Sequence, residues 1–159
     1  MRFTIIAVGK LKERFWTDAC AEYLKRLQPY AKTTVVEVAD VDPARAGGDA
    51  LAVEREGEAI QRALAALPER TRVVLMAIKG RERSSEDLAA HLDTLALDGT
   101  SDLAFIIGGS CGVSAAVQAQ ADEQLSFGPI TLPHNLARVV LLEQLYRACK
   151  ISHNEPYHK

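Results

Sequence analysis

Hydrophobic positions in this 159-residue chain fall into two patterns. Nearly continuous apolar or β-branched runs occupy Arg2–Val8, residues 72–78 and Asp102–Ile107, as expected of strands covered on both faces. Residues 33–38 alternate enough to add another strand. Between these runs the apolar residues recur at three- and four-residue steps, the period of a helix with one buried face. Phe15, Trp16, Ala19, Cys20, Tyr23, Leu24 and Leu27 mark the first helix, stopped near Pro29. Residues 50–67 form the second, with Leu51, Ile60, Leu64 and Leu67 inward, many charges outward and Pro68 at its end. Ser84 and Asp87 have capping-box spacing and open a helix to about Leu97, closed by Asp98-Gly99. Residues 40–49 contain Pro43, Gly47 and Gly48 and read as a mobile loop, and residues 79–83 read as the loop after the third strand. Ser114 caps a short helix to about Asp122, a short strand and turn occupy 125–132, and Asn135 opens a long helix to about Ile151.

Strands and helices therefore alternate from residue 2 to 107. That order predicts one α/β domain over residues 1–159, with a mostly parallel sheet and helices on both faces. Ligands bind such sheets at the carboxyl ends of strands. Gly9, Gly80 and the pair Gly108-Gly109 all fall there.

Charge changes the picture. The net charge is −2, but residues 1–36 carry +4, residues 37–133 carry −8 and residues 134–159 carry +2. Basic ends that meet in the fold, or across a dimer, would form a surface for phosphates; the alternative is an unevenly charged solvated surface. No apolar run approaches the roughly 18 residues of a membrane span. Cys20, Cys111 and Cys149 are odd in number and far apart, which suggests reduced thiols in a cytoplasmic protein.

The candidate chemistry lies after residue 105. Gly108-Gly109-Ser110-Cys111-Gly112 lacks the spacing of a dinucleotide or Walker loop. It does fit Gly-x-Ser-x-Gly, the nucleophile elbow of serine hydrolases, with Asp122 and His134 following in the order Ser, Asp, His. It equally fits a tight turn that needs positive φ. His134, His153 and His158 lack the partner spacings of a zinc site, so no metal is expected. Set near Arg138, Arg147, Lys150 and Lys159, they suit an anionic or nucleotide substrate better.

Several segments together resemble the RlmH family: residues 105–113, the stretch from Leu125 to His134, Arg138 with residues 141–148, and the ending Pro156-Tyr157-His158-Lys159. The opening Ile6-Ala7-Val8-Gly9 and residues 22–26 also fit, so the likeness covers essentially the full length. These are bacterial 23S rRNA pseudouridine N3-methyltransferases of the SPOUT, or α/β-knot, superfamily. The resemblance implies a C-terminal trefoil knot, an exception to the usual absence of knots, and S-adenosylmethionine bound within it. It also implies a homodimer in which the partner chain completes each active site. The implied substrate is a pseudouridine in the helix 69 loop of 23S rRNA on the assembled ribosome. The family's cofactor site falls on Met76, Gly109, Gly128, Pro129, Ile130, Thr131 and Leu132; its substrate and catalytic positions fall on His134, Arg138, Tyr157 and His158. In that chemistry His134 or His158 serves as base and Arg138 steadies the developing charge. A non-catalytic ribosome-binding module is the remaining alternative to transferase and hydrolase.

Two further expectations concern the C-terminus. Residues 136–149 are apolar on more than one face, which predicts an obligate homodimer built on this helix. The tail from Ser152, interrupted by Pro156, is expected to fold over the cofactor pocket.

Overall fold

The computed structural model describes residues 1–157. Its five strands are β1 (Arg2–Val8), β2 (Lys32–Val38), β3 (Arg72–Glu82), β4 (Asp102–Ile107) and β5 (Glu123–Ser126). The helices are α1 (Arg14–Leu27), α2 (Pro43–Ala46), α3 (Asp49–Ala65), α4 (Ser85–Leu97), α5 (Ala115–Gln120) and α6 (His134–Ser152). The strands form one sheet in the order β2-β1-β4-β3-β5, and every neighbouring pair is parallel.

Strand geometry divides the core in two, because successive side chains point to opposite faces. Phe3, Ile5, Ala7, Leu103, Phe105 and Ile107 meet Cys20 and Leu27 of α1, Leu88, Leu92 and Leu95 of α4, and Leu141, Leu142 and Leu145 of α6. Ile6, Val8, Val73, Leu75 and Ile106 meet Ile60 of α3 and Val117 of α5 on the other face. Each fully buried Leu, Ile or Phe contributes about 1.5–3 kcal/mol. The continuous apolar runs of β1 and β4 follow from this arrangement.

The structure corrects the sequence reading at three places. Residues 43–46 form a helical turn rather than a loop, with Pro43 at its start and the Asp42 carboxylate accepting the Ala44 N–H. The third strand runs on to Glu82, through residues expected as a loop, and its pairing with β5 shifts register between Met76 and Arg81. Gly80 lies inside that shift, where an added Cβ would stand 2.8 Å from the backbone carbons of Gln124 and Leu125. Leu51 is 51% exposed instead of inward; α3 buries Ala52, Glu56, Gly57 and Ile60. Ser84, in contrast, caps α4 as expected, accepting the Asp87 N–H at 3.1 Å.

Helices α1 and α6 lie side by side and run the same way. At one end Gly9, which leads into α1, packs against His134 at the start of α6. At the other, Tyr30 beyond α1 bonds to Lys150 near the end of α6.

Candidate active site

A cavity of about 780 Å³ opens at the carboxyl ends of β3, β4 and β5. Its walls come from Leu75 to Lys79, from Ile107 to Ser110 with Gly112 and Val113, and from Phe127 to the start of α6. The lining is chiefly apolar, and its size suits a cofactor.

Its loops are built from short-range bonds and close approaches. Gly112 and Gly128 have φ of +96° and +100°, a region that disfavours side chains. The buried Ser126 hydroxyl donates to the Ile78 carbonyl at 2.8 Å and accepts the Gly128 N–H at 3.0 Å, which pins the 127–132 loop to β3. Among the described residues, the N–H groups of Thr131 and Leu132 donate no hydrogen bond within the chain. Such free backbone donors beside apolar walls fit the adenine edge and aliphatic methionine chain of S-adenosylmethionine.

Of the positions expected for the cofactor, Met76, Gly109, Gly128, Ile130, Thr131 and Leu132 all line the cavity; Pro129 does not. His134 lies at the rim, and a Cβ on Gly9 would come within 3.3 Å of its Nε2. Arg138 stands one turn deeper and is 2% exposed. Its Nη1 donates to Glu37 Oε1 at 2.6 Å and its Nη2 to the Gly9 carbonyl at 2.9 Å. The guanidinium thus ties the carboxyl ends of β1 and β2 to α6, behind His134.

Tyr157 stands elsewhere. Asn154 adopts φ +52°, which turns the chain back along α6. The Tyr157 ring lies 4.8 Å from that of Tyr146 and 4.6 Å from the Arg147 guanidinium, and its hydroxyl donates to Glu143 at 3.2 Å. Burial, with help from Tyr23 and Glu143, pushes the Tyr157 phenol up to about 12, so it stays protonated. Glu143 lies nine residues along the helix from His134, about 13 Å by helical rise. Tyr157 and His134 of one chain are therefore apart, and among the described residues the tail up to Tyr157 does not line the cavity. His158 lies outside the described residues.

The nucleophile elbow is not assembled. Ser110 is exposed, with Cys111 Sγ at 3.8 Å as its neighbour. The Asp122 carboxylate accepts the Val73 N–H at 2.6 Å, at the amino end of β3, across the sheet from Ser110 and His134. Ser110, Asp122 and His134 form no triad.

Sequence reasoning passed over two residues that shape the site, Ser126 and Glu56. Ser126 anchors the 127–132 loop, while Gly9, already marked as a strand-end glycine, makes room for His134. Glu56, expected among the outward charges of α3, is 6% exposed and accepts the Val41 N–H at 2.9 Å. A Cβ on Gly109 would meet its Oε2 at 2.6 Å. The glycines at the strand ends were the one available signal.

Comparison with known proteins agrees with this geometry. The family described as "Predicted SPOUT methyltransferase" matches residues 1–158. The ribosomal RNA large subunit methyltransferase H of Listeria welshimeri is 50% identical over 159 residues, covering 100% of both chains. The protein of the same name from Bacillus thuringiensis is 47% identical over 160 residues, again covering 100% of both. Among solved structures, the SpoU methyltransferase AviRb from Streptomyces viridochromogenes, in complex with AdoMet, is 14% identical with a TM-score of 0.46, covering 97% of this chain and 61% of that one. S-adenosylmethionine is the methyl donor of the SPOUT enzymes, and this chain belongs to the SPOUT methyltransferase family, among the RlmH proteins.

Proposed function

We propose that the protein methylates N3 of a pseudouridine in the helix 69 loop of 23S rRNA, on the assembled ribosome. The observation that carries this reading is the apolar cavity with His134 at its rim, in a chain whose full-length relatives are named for large-subunit ribosomal RNA. Bound in the cavity, S-adenosylmethionine would supply an electrophilic methyl group. Met76, Gly109, Gly128, Ile130, Thr131 and Leu132 would hold it, the loop N–H groups reading its adenine edge, with Pro129 shaping the loop from outside the lining.

The chain's own task is alignment and proton removal. The pseudouridine N3–H is a weak imide acid, and N3 must lose that proton as its lone pair attacks the methyl carbon. Neutral His134 accepts it across the rim. Arg138, fixed by Glu37 and the Gly9 carbonyl, keeps His134 and the end of β1 in register and adds positive charge behind the base. Helices α1 and α6 both start here without a side-chain cap or an acidic first turn, so their amino ends also favour an anionic substrate.

The same reading calls for a homodimer. Leu136, the pair Val139-Val140 and Glu143 share one helix face at three- and four-residue spacing and are each only half-buried. Ile78 and Ile130, at the cavity, are 52% and 56% exposed. A second copy covering this stripe would bury it and bring its own Tyr157 and His158 to the cavity. Tyr157, protonated, would orient the base, and His158 would act near N3.

The test is transfer of a radiolabelled methyl group to ribosomes lacking the modification. Wild-type protein should label the pseudouridine at N3, and His134→Ala should lose about 10²–10⁴-fold of the rate. Labelling at another nucleotide, or none, would overturn the assignment.

A further inference from the structure

Phe15 is 62% exposed and, among the described residues, is the one aromatic ring with the large exposed hydrophobics. It stacks on nothing but its neighbour, the half-buried Trp16, at 4.9 Å between ring centroids and 55° between planes. The pair opens α1, and the segment before it carries Lys10, Lys12 and Arg14. All three are exposed; Arg14 makes only a loose 3.4 Å pair with Asp18, and Lys10 and Lys12 make no ion pair among the described residues. Gly9, the residue before Lys10, is in contact range of His134. An exposed aromatic beside three cations and one carboxylate, Glu13, thus stands near the start of α6 and the cavity.

The architecture offers no other place for it to serve. Side chains of α1 that face inward, such as Cys20 and Leu27, join the core, and Phe15 does not. Two copies meeting about a two-fold axis here would set Lys10, Lys12 and Arg14 against their own counterparts, like charge on like. A single-stranded nucleic acid meets both features at once, phosphates on the cations and a base on the ring. An enzyme that extracts one nucleotide from a loop also leaves the flanking base without its stacking partner.

We propose that residues 10–16 form a docking ledge for the RNA loop: Phe15 stacks on a base flanking the methylated nucleotide, and Lys10 and Lys12 contact its phosphates. This rests on the ribosomal RNA reading above. It adds the element that seats the loop once the target base has entered the cavity.

The experiment uses full-length protein, S-adenosylmethionine and ribosomes lacking the modification. Phe15→Ala should raise KM for ribosomes about 5- to 150-fold, the span of one lost stack, with kcat less affected and cofactor affinity unchanged by calorimetry. Phe15→Tyr should restore KM and Phe15→Leu should not. Lys10→Gln with Lys12→Gln should flatten the dependence of log(kcat/KM) on log salt by about 1.4, or roughly 0.7 for each phosphate contact on a single strand. Wild-type KM in Phe15→Ala, full rescue by Leu, or a fall in molar mass by light scattering would each overturn the ledge, the last by making Phe15 a subunit contact. Wild-type protein that leaves the ribosomes unlabelled would sink the RNA reading itself, and the ledge with it.

Discussion

The two ends of α6 share a helix and little else. Its start is closed: Arg138 is sealed between Glu37 and the Gly9 carbonyl, and His134 sits on the cavity rim. Its end is open: Tyr146, Arg147 and Glu143 form a half-buried surface on which the returning Tyr157 rests. The first end supplies the cavity with a hydrogen-bonded wall and an imidazole. The second holds Tyr157, another expected substrate residue, about 13 Å or more away along the same helix. Within one chain Tyr157 and the cavity rim therefore stay apart, and in the proposed dimer a second chain would join them.

The sharpest way to break the closed end is Arg138→Ala. Removing one partner of a buried pair leaves Glu37 and the Gly9 carbonyl uncompensated, so unfolding in denaturant should reveal a loss of about 3–5 kcal/mol. Arg138→Lys should recover only part of it, since one ammonium cannot serve two acceptors with the geometry of a fork.

The open end should respond in activity rather than stability. Deleting residues 156–159 should cut methyl transfer at least about 10²-fold while leaving the melting temperature and cofactor affinity nearly unchanged. Mixing this truncated chain with His134→Ala should restore part of the lost rate, since a mixed dimer would own one intact cavity and one intact tail from different chains. Two inactive parents that stay inactive together would place the tail's role within its own protomer.

A control lies at the amino end of β5. Burial opposes ionisation of Glu123, but bonds from His91 at 2.8 Å and Arg72 at 3.2 Å outweigh it and hold the carboxyl below its usual range. A lowered carboxylate contributes stability above its unfolded value, about 4.3, and that contribution disappears as pH falls through the lower folded value. The melting-temperature gap between wild type and Glu123→Gln should accordingly be widest near pH 7 and narrow below about pH 4. The smallest effect belongs to Ser110→Ala, which should change stability by no more than about 0.5 kcal/mol and leave methyl transfer intact.

Legibility in the sequence followed the range of the forces involved. Strands β1 and β4 carry their full burial in their own residues, and both were read to the residue. The Ser84 cap needs only a partner three residues on. Strand β3 was cut short because Lys79, Gly80, Arg81 and Glu82 are polar and extend through pairing with a strand formed more than 40 residues later. Arg138 looked like a substrate cation because its partner, Glu37, lies 101 positions away. Glu56 looked like surface for the same reason: Val41 and Gly109 become its neighbours only when β2 and β4 lie in one sheet. The residues expected at the cofactor came from the family resemblance, and all but Pro129 line the cavity, spread over its three walls.

The close approach at Gly80 also sets a clock. There the backbone of β3 touches Gln124 and Leu125, so this wall of the cavity has no shape until the fifth strand arrives. A nascent chain that has released only its first hundred residues owns β1, β2 and β3 but no cofactor site. Binding competence thus comes late in synthesis, after the segment carrying β5 and the 127–132 loop has cleared the exit tunnel.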